Sequence, residues 1–162
     1  MQFATFEAGG STLSLRRAQR DDLTGLVALI AADSLRAAEE TPSGDGIGPY
    51  VRAFEAIDAD AAQTLTVLES ADGRVVGTMQ LSVIPGLARR GATRMQIEAV
   101  RVSEELRGLG LGSAMIEWAV GRARDEGAAL VQLTSDARRI DAHRFYERLG
   151  FEASHVGFKL FL

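Results

Sequence analysis

Three glycines at alternate positions, in the stretch RGLGLGS, separate a strand-like segment from an amphipathic helix. They are Gly108, Gly110 and Gly112, and they leave almost no side chain just before the helix begins. The first turn of a helix has N–H groups without helical partners and carries the positive end of the helix dipole. A glycine-rich approach lets several of these N–H groups face one anion. The stretch therefore predicts an anion-binding site, with a plain glycine-rich turn as the alternative.

Hydrophobic periodicity on either side of this loop predicts an α/β protein, with a mixed sheet of six or seven strands and helices on both faces. The predicted strands are 11–18, 64–70, 75–84, 94–102, 129–135 and 151–162. The predicted helices are 21–40, 49–60, 112–126 and 138–150. Because a helix joins the strands at 94–102 and 129–135, these two are expected to be parallel neighbours. Residues 1–10 are expected to form a loose N-terminal lead, and residues 11–162 a single domain.

The composition excludes several classes of site and partner. The chain has no cysteine and only two histidines, so disulfides and thiol chemistry are excluded and no metal site is expected. The net charge of −4 gives no general attraction to nucleic acid. No apolar run approaches the roughly 18 residues of a membrane span, and the first residues lack the features of a secretory signal. We expect a cytoplasmic protein that binds neither nucleic acid nor membrane.

Two common phosphate-binding patterns fit the loop poorly. A dinucleotide fingerprint needs G-x-G-x-x-G directly after a strand, whereas Ser113 stands at the third glycine position and SEELR intervenes. Asp136 ends the next strand, where dinucleotide folds place a ribose-binding acid, so a nucleotide-binding oxidoreductase stays an alternative. A Walker loop needs a lysine before Ser or Thr, and the one lysine of the chain is Lys159.

A third pattern matches at two separate places. Arg107 to Gly112 fits (Gln/Arg)-x-x-Gly-x-(Gly/Ala), and AHRFYERLGF, from Ala142 to Phe151, fits A-x-x-[FL]-Y-x-x-x-G-F. On these motifs the chain resembles the GNAT acetyltransferases from Val75 to the C-terminus. The resemblance implies the GNAT fold, in which the strands at 94–102 and 129–135 splay apart.

The resemblance also implies acetyl-CoA as co-substrate, without a metal. The diphosphate would lie against the glycine loop and the helix start, and the pantetheine arm along the backbone of the strand before them. The residues implied to bind this cofactor are Val100, Arg101, Val102, Arg107, Gly108, Leu109, Gly110, Leu111, Gly112, Ser113 and Tyr146. Many family members carry Asn seven residues before the tyrosine, but this chain has Arg139 there, so no such contact is transferred.

The implied reaction is transfer of an acetyl group to a primary amine, by direct attack in a ternary complex. Tyr146 is implied as the general acid near the leaving sulfur, with packing or cofactor binding as its alternative role. Glu98 is a candidate general base, because a carboxylate in the middle of an apolar strand is expected to face a cleft. Regular alternation would place Glu98, Val100 and Val102 on one face of that strand. A salt bridge from Glu98 to Arg94 or another arginine, or a water chain that replaces the base, remains open.

A non-catalytic acyl-CoA-binding or regulatory domain of the same fold is the other interpretation. The acceptor is expected to be a small-molecule amine, chosen by the early helices and by the loops at 38–48 and 84–92. The sequence names neither this amine nor the range of acyl groups. A homodimer is compatible with the resemblance, since dimers are frequent in the family.

Overall fold

The computed structural model describes residues 2–32 and 46–162, and it shows a sheet of six strands in sequence order. The strands are β1 (Gln2–Ala8), β2 (Ser11–Arg17), β3 (Gln63–Glu69), β4 (Val75–Ile84), β5 (Arg94–Val102) and β6 (Leu130–Leu133). The main helices are α1 (Leu23–Ala31), α2 (Gly48–Ala59), α3 (Leu111–Asp125) and α4 (Ile140–Arg148). Short helical turns lie at Arg20–Asp22, Ala88–Gly91 and Glu104–Leu106. The chain divides into two compact units, Met1–Gln132 and Leu133–Leu162.

The sheet is mixed, as predicted. Neighbouring strands from β1 to β5 are all antiparallel. At the start of β6, Ala129 N–H donates to the Thr93 carbonyl at 2.8 Å, and Gln132 Nε2 donates to Gln96 Oε1 at 2.7 Å. The second pair lies further along both strands than the first, so β5 and β6 run in the same direction. β5 has its predicted limits, and β6 is shorter than the predicted 129–135.

Helices cover both faces of the sheet. On one face, Leu23 and Leu26 of α1 and Phe54 of α2 pack with Val67 of β3. The other face buries Leu15, Leu68, Met79 and Ile97, and the buried residues of α3 are Leu111, Met115, Ile116, Ala119 and Ala123. Full burial of a large apolar side chain contributes about 1.5–3 kcal/mol, so these two layers supply most of the driving force for folding. In the described ranges, no helix has the length and hydropathy needed to cross a membrane.

Predictions for the two chain ends are wrong. The residues expected to form a loose lead instead form β1, which pairs with β2 through a turn at Gly9 and Gly10, where φ is +57° and +77°. The segment 151–162, expected to be a strand, has no strand and exposes Phe158 and Leu160. The predicted continuation of α1 through residues 33–40, and residues 38–45 of the predicted loop 38–48, lie outside the described residues.

An ion cluster ties β2, β3 and the start of α1 together. The Arg16 guanidinium donates to both oxygens of Asp22 at 2.7 and 2.8 Å, and its Nε donates to Glu69 at 2.6 Å. Asp22 also accepts the Gln19 N–H at 2.6 Å. Burial by itself would raise the pKa of Asp22, but the hydrogen bonds from Arg16 and Gln19 outweigh it and hold that pKa below its ordinary value.

We expect Asp22→Asn to lower the free energy of unfolding by roughly 2–3 kcal/mol at pH 7, because the substitution leaves the half-buried Arg16 without its bidentate partner. The native pKa of Asp22 lies below 3.8, so this stabilisation is present at neutral pH and is lost as the pH falls below about 4. Urea unfolding of both proteins between pH 7 and pH 3 should show the difference shrinking. Asp72→Asn removes an exposed partner of Arg74 and is the control, with no measurable loss expected. Equal losses in the two variants would contradict the role of the cluster.

Candidate functional site

The glycine loop has the backbone shape that the sequence predicts. Gly108 and Gly110 have φ of +80° and +81°, and Gly110 is the residue at which α3 begins. Only glycine adopts this conformation without strain, and a Cβ added at either position would meet nothing within 4 Å. Leu111, which is 2% exposed, fixes the first turn of α3 in the core. The glycines therefore shape the turn and leave the space in front of it open.

Main-chain N–H groups without a described acceptor lie along this loop. Arg107 N–H donates to the Glu104 carbonyl at 3.2 Å, and the first helical bond runs from Ala114 N–H to the Gly110 carbonyl at 3.0 Å. Between them, no described residue accepts a hydrogen bond from the N–H groups of residues 108–113. Free N–H groups at a helix start form a ready anion site. The Arg107 N–H is already bonded to Glu104, but the Arg107 side chain adds a positive charge at the edge of the loop.

β5 contains a bulge that interrupts its alternation. Thr78 of β4 pairs with Arg101 and Gln80 pairs with Glu98, so Ala99 and Val100 both stand opposite Met79. Ala99 has φ of +53°, a left-handed conformation that is rare for residues other than glycine. The bulge shifts every later residue of β5 by one position relative to the faces of the sheet.

This shift corrects one prediction about Glu98. The carboxylate lies on the face of Gln80, whereas Val102 pairs with Gly77 and lies on the opposite face, so Glu98, Val100 and Val102 do not share a face. Glu98 is exposed. Within the described part of the chain it forms no ion pair, so the alternative of a salt bridge to Arg94 is not found. The next residue on this face of β5 is Arg101, opposite Thr78.

Two arginines contact the backbone at the end of β5. Arg101 Nη1 donates to the Val100 carbonyl at 2.8 Å, and Arg107 Nε donates to the Val102 carbonyl at 3.4 Å. Each carbonyl oxygen has a second lone pair and can accept another hydrogen bond. The two carbonyls therefore keep acceptor capacity, while binding of a cofactor arm along this strand stays a prediction.

The second unit contains Tyr146, on α4. Its ring packs edge-on against Phe145 and Phe151, with centroid distances of 5.1 and 5.9 Å. The Phe151 N–H donates to the Tyr146 carbonyl at 3.1 Å, and Gly150 ends the helical segment with φ of +87°. The motif glycine thus supplies the left-handed turn that folds Phe151 back onto the tyrosine.

Asp136, the candidate ribose-binding acid, has another role. Its carboxylate accepts from Arg138 Nε and Nη2 at 2.9 and 2.8 Å, and also from the Arg138 N–H at 2.9 Å. These bonds hold the pKa of Asp136 far below its ordinary value. The Asp136 carbonyl lies 2.9 Å from His143 Nε2. Asp136 therefore organises the turn before α4, which removes the feature that had favoured a dinucleotide fold.

Other parts of the described chain offer weaker candidates. A cavity of about 360 Å³ is lined by residues 17–20 with Phe54 and Asp58, and it contains none of the predicted site residues. Among the residues that the structure describes, no group of three or more His, Asp or Glu is placed to hold a metal ion. The glycine loop and β5 remain the strongest candidate site in the first unit.

Comparison with known proteins decides the family. The model of the acetyltransferase (GNAT) family matches residues 31–151 of the chain, which is well over half of its length. The protein is a GNAT acetyltransferase family member. The match includes the glycine loop, β5 and the Tyr146 motif, so the two motifs found in the sequence belong to one family pattern.

Individual relatives agree with this assignment. The aminoalkylphosphonate N-acetyltransferase of Salmonella typhimurium is 41% identical over 63 residues, 39% of this chain and 41% of that protein. The glucosamine 6-phosphate N-acetyltransferase of Trypanosoma brucei brucei is 38% identical over 81 residues, 50% of this chain and 53% of that protein. The match thus spans about half or less of these relatives. A crystal structure described as a transcriptional regulator from Bacillus halodurans C-125 is 39% identical with a TM-score of 0.87, covering 93% of this chain and 99% of that chain.

The left-handed conformation of Ala99 in the bulge predicts opposite effects of two substitutions on stability. In a left-handed conformation, Ala99→Gly should stabilise the protein by up to about 1 kcal/mol, and Ala99→Val should destabilise it by about 1–2 kcal/mol. In a regular exposed strand position the order would be reversed, because Val favours strands and Gly disfavours them. Urea unfolding of both variants measures the order directly. A more stable valine variant would show that β5 is regular at this point.

Proposed function

We propose that this GNAT protein transfers an acetyl group from acetyl-CoA to a primary amine of a small molecule, by direct attack in a ternary complex. The observation that carries the proposal is the open row of N–H groups from Gly108 to Ser113, at the start of α3. A diphosphate is the group that such a row suits best, because it presents several anionic oxygens to amides that point the same way.

The residues present fit acetyl-CoA as the co-substrate. Bound there, it supplies the thioester from which the acetyl group is transferred. Gly108 and Gly110 leave room for phosphate oxygens at the backbone, and the Arg107 side chain adds a permanent positive charge. The backbone groups from Val100 to Val102 would pair with the amide-rich arm, as an added strand pairs with a sheet edge. A backbone N–H near Val100 is the proposed donor to the carbonyl oxygen as negative charge develops on it.

The proposal gives Glu98 and Tyr146 the two proton transfers. Glu98 accepts a proton from the amine, directly or through water, so that the neutral amine can react. Tyr146 donates a proton to the departing sulfur. The ordinary pKa of a phenol is about 10 and that of a thiol about 8.5, so this transfer is uphill by only a small amount.

The relatives support a small acceptor. The names of the Salmonella and Trypanosoma enzymes specify an aminoalkylphosphonate and an amino sugar phosphate, which are both small molecules with a primary amine. We extend that class of acceptor to this chain. The cytoplasmic location and the homodimer stay predictions from the sequence.

Release of free thiol from acetyl-CoA, measured across a panel of small amines, tests the function. We expect amine-dependent release by the native protein, and no acetyl-CoA binding by Gly110→Val, because a side chain there fills the space in front of the N–H groups. Gly127→Val is the matched control, since Gly127 also has a positive φ, +69°, and an open surrounding at the other end of α3. Both variants carry similar backbone strain, of about 1–2 kcal/mol. Acetyl-CoA binding without thiol release over the whole panel would identify a binding or regulatory domain.

Removal of the Tyr146 hydroxyl tests the proposed acid. We expect Tyr146→Phe to lower kcat by about 100-fold, the lower end of the range for general acid catalysis, while the ring still packs on Phe145 and Phe151. The affinity of the same variant for acetyl-CoA, measured by calorimetry, is the control and should change by less than about threefold. Unchanged turnover would remove Tyr146 from the reaction.

A further inference from the structure

A row of polar side chains crosses the sheet face that α1 and α2 cover. Val67, which packs under these helices, pairs with Thr78, so the alternate β4 residues Gln80 and Ser82 lie on the same face. The register with β5 places Gln96 opposite Ser82 and Glu98 opposite Gln80. Arg94, opposite Ile84, completes the same face of β5. A sheet face under helices is expected to be apolar, so this row needs another explanation.

Hydrogen bonds hold the amides of this row in place. Gln63 Oε1 accepts from Ser82 Oγ at 2.6 Å and from Gln80 Nε2 at 3.1 Å. Gln96 Oε1 accepts from Gln132 Nε2 at 2.7 Å. In the described ranges, no residue accepts a hydrogen bond from the amide nitrogens of Gln63 and Gln96, so these donors are open to a ligand. Donors that are already held in place can form hydrogen bonds to oxygen atoms of a ligand with little further loss of side-chain entropy.

The two ends of the β5 row carry opposite charges. Arg94 and Glu98 are about 13 Å apart at their Cα atoms, from the rise of a strand over four residues. Among the described residues neither forms an ion pair. Neither side chain takes part in any other electrostatic interaction with a described residue. From Arg94 to Glu98 this face of β5 presents a cation, an amide and a carboxylate in order, and Arg101, opposite Thr78, follows Glu98 on the same face.

We propose that this row binds the acceptor, and that the acceptor is an amine that also carries an anionic group such as phosphate, phosphonate or carboxylate. The inference rests on the proposed function, in which Glu98 receives the proton of the amine. Arg94 then binds the anionic group at the other end of the row. Gln63 and Gln96 donate hydrogen bonds to oxygen atoms between the two charged ends. The charges of the row complement those of a zwitterionic acceptor and disfavour a simple alkylamine.

Matched pairs of acceptors test the proposal on the full chain. Phosphoethanolamine, 2-aminoethylphosphonate and β-alanine carry an anion, whereas ethanolamine, ethylamine and propylamine lack it. We expect kcat/KM to favour the anionic member of at least one pair by tenfold or more, and Arg94→Gln to abolish that preference through KM, by about tenfold. Arg94→Lys should keep part of it, because lysine retains the charge without the fork of donors.

Arg124→Gln is the control for the change in net charge, because Arg124 lies on α3 and is exposed. It should leave the preference intact, and thermal unfolding should show that all variants are folded. The absence of any preference for anions would overturn the proposal. An equal effect of Arg94→Gln on charged and neutral amines would overturn it too, while the acetyltransferase function would stand.

A direct binding measurement separates this inference from the proposed function. If no amine releases thiol, the function fails, and phosphoethanolamine binding is then followed by calorimetry in the presence of acetyl-CoA. Binding that Arg94→Gln weakens about tenfold would support the acceptor row by itself. No binding, or binding that the substitution leaves unchanged, would overturn it.

Discussion

The register of β5 against β4 decides what each face of this protein can do. Before the bulge, Met95 and Ile97 point into the core on one side, while Gln96 and Glu98 point to the other. Two residues opposite Met79 then shift the strand by one position, so Val102 returns to the side of Ile97. Without that extra residue, a regular strand would place Val100 and Val102 on the polar face, together with Gln96 and Glu98. One strained alanine therefore lets β5 keep an apolar side along its whole length.

The same strand positions the glycine loop. β5 passes through a short turn at Glu104–Leu106 into the left-handed residues Gly108 and Gly110, and α3 begins at once. Leu111 and Met115 are buried, which fixes the direction of the first turn of α3 and of its N–H groups. The proposed anion site thus depends on core packing behind it and on glycine in front of it. Neither the core packing nor the glycines involve a charged side chain. The spacing of the glycines is therefore the signal by which a sequence predicts such a site.

Much of this could be predicted because the signals are local. β4 and β5 have their predicted limits, since alternating residues are bounded by Pro, Gly and turn residues, and Gly108 and Gly110 of the loop have positive φ. β1 was missed because its seven residues, QFATFEA, alternate weakly and gain stability only by pairing with β2. The terminal segment alternates in hydrophobicity like a strand, but alternation supplies no partner for its backbone. The bulge can be predicted from a change in the alternation of β5. Its apolar residues are odd-numbered at Met95 and Ile97 but even-numbered at Val100 and Val102, so one extra residue is needed to keep them on one face.

Backbone and side chains divide the work in the proposed function. Main-chain groups would hold the part of the co-substrate that is the same in every reaction, so the requirement falls on a few glycines and on the core behind them. The acceptor would meet alternate side chains of β4 and β5, and those side chains can change without altering the strand ladder or the opposite, buried face. A sheet of this kind can therefore acquire a new acceptor by substitution at a few positions such as Ser82, Arg94 and Gln96. The register, rather than any motif, identifies those positions, because only the pairing across strands shows which residues share the face with Glu98.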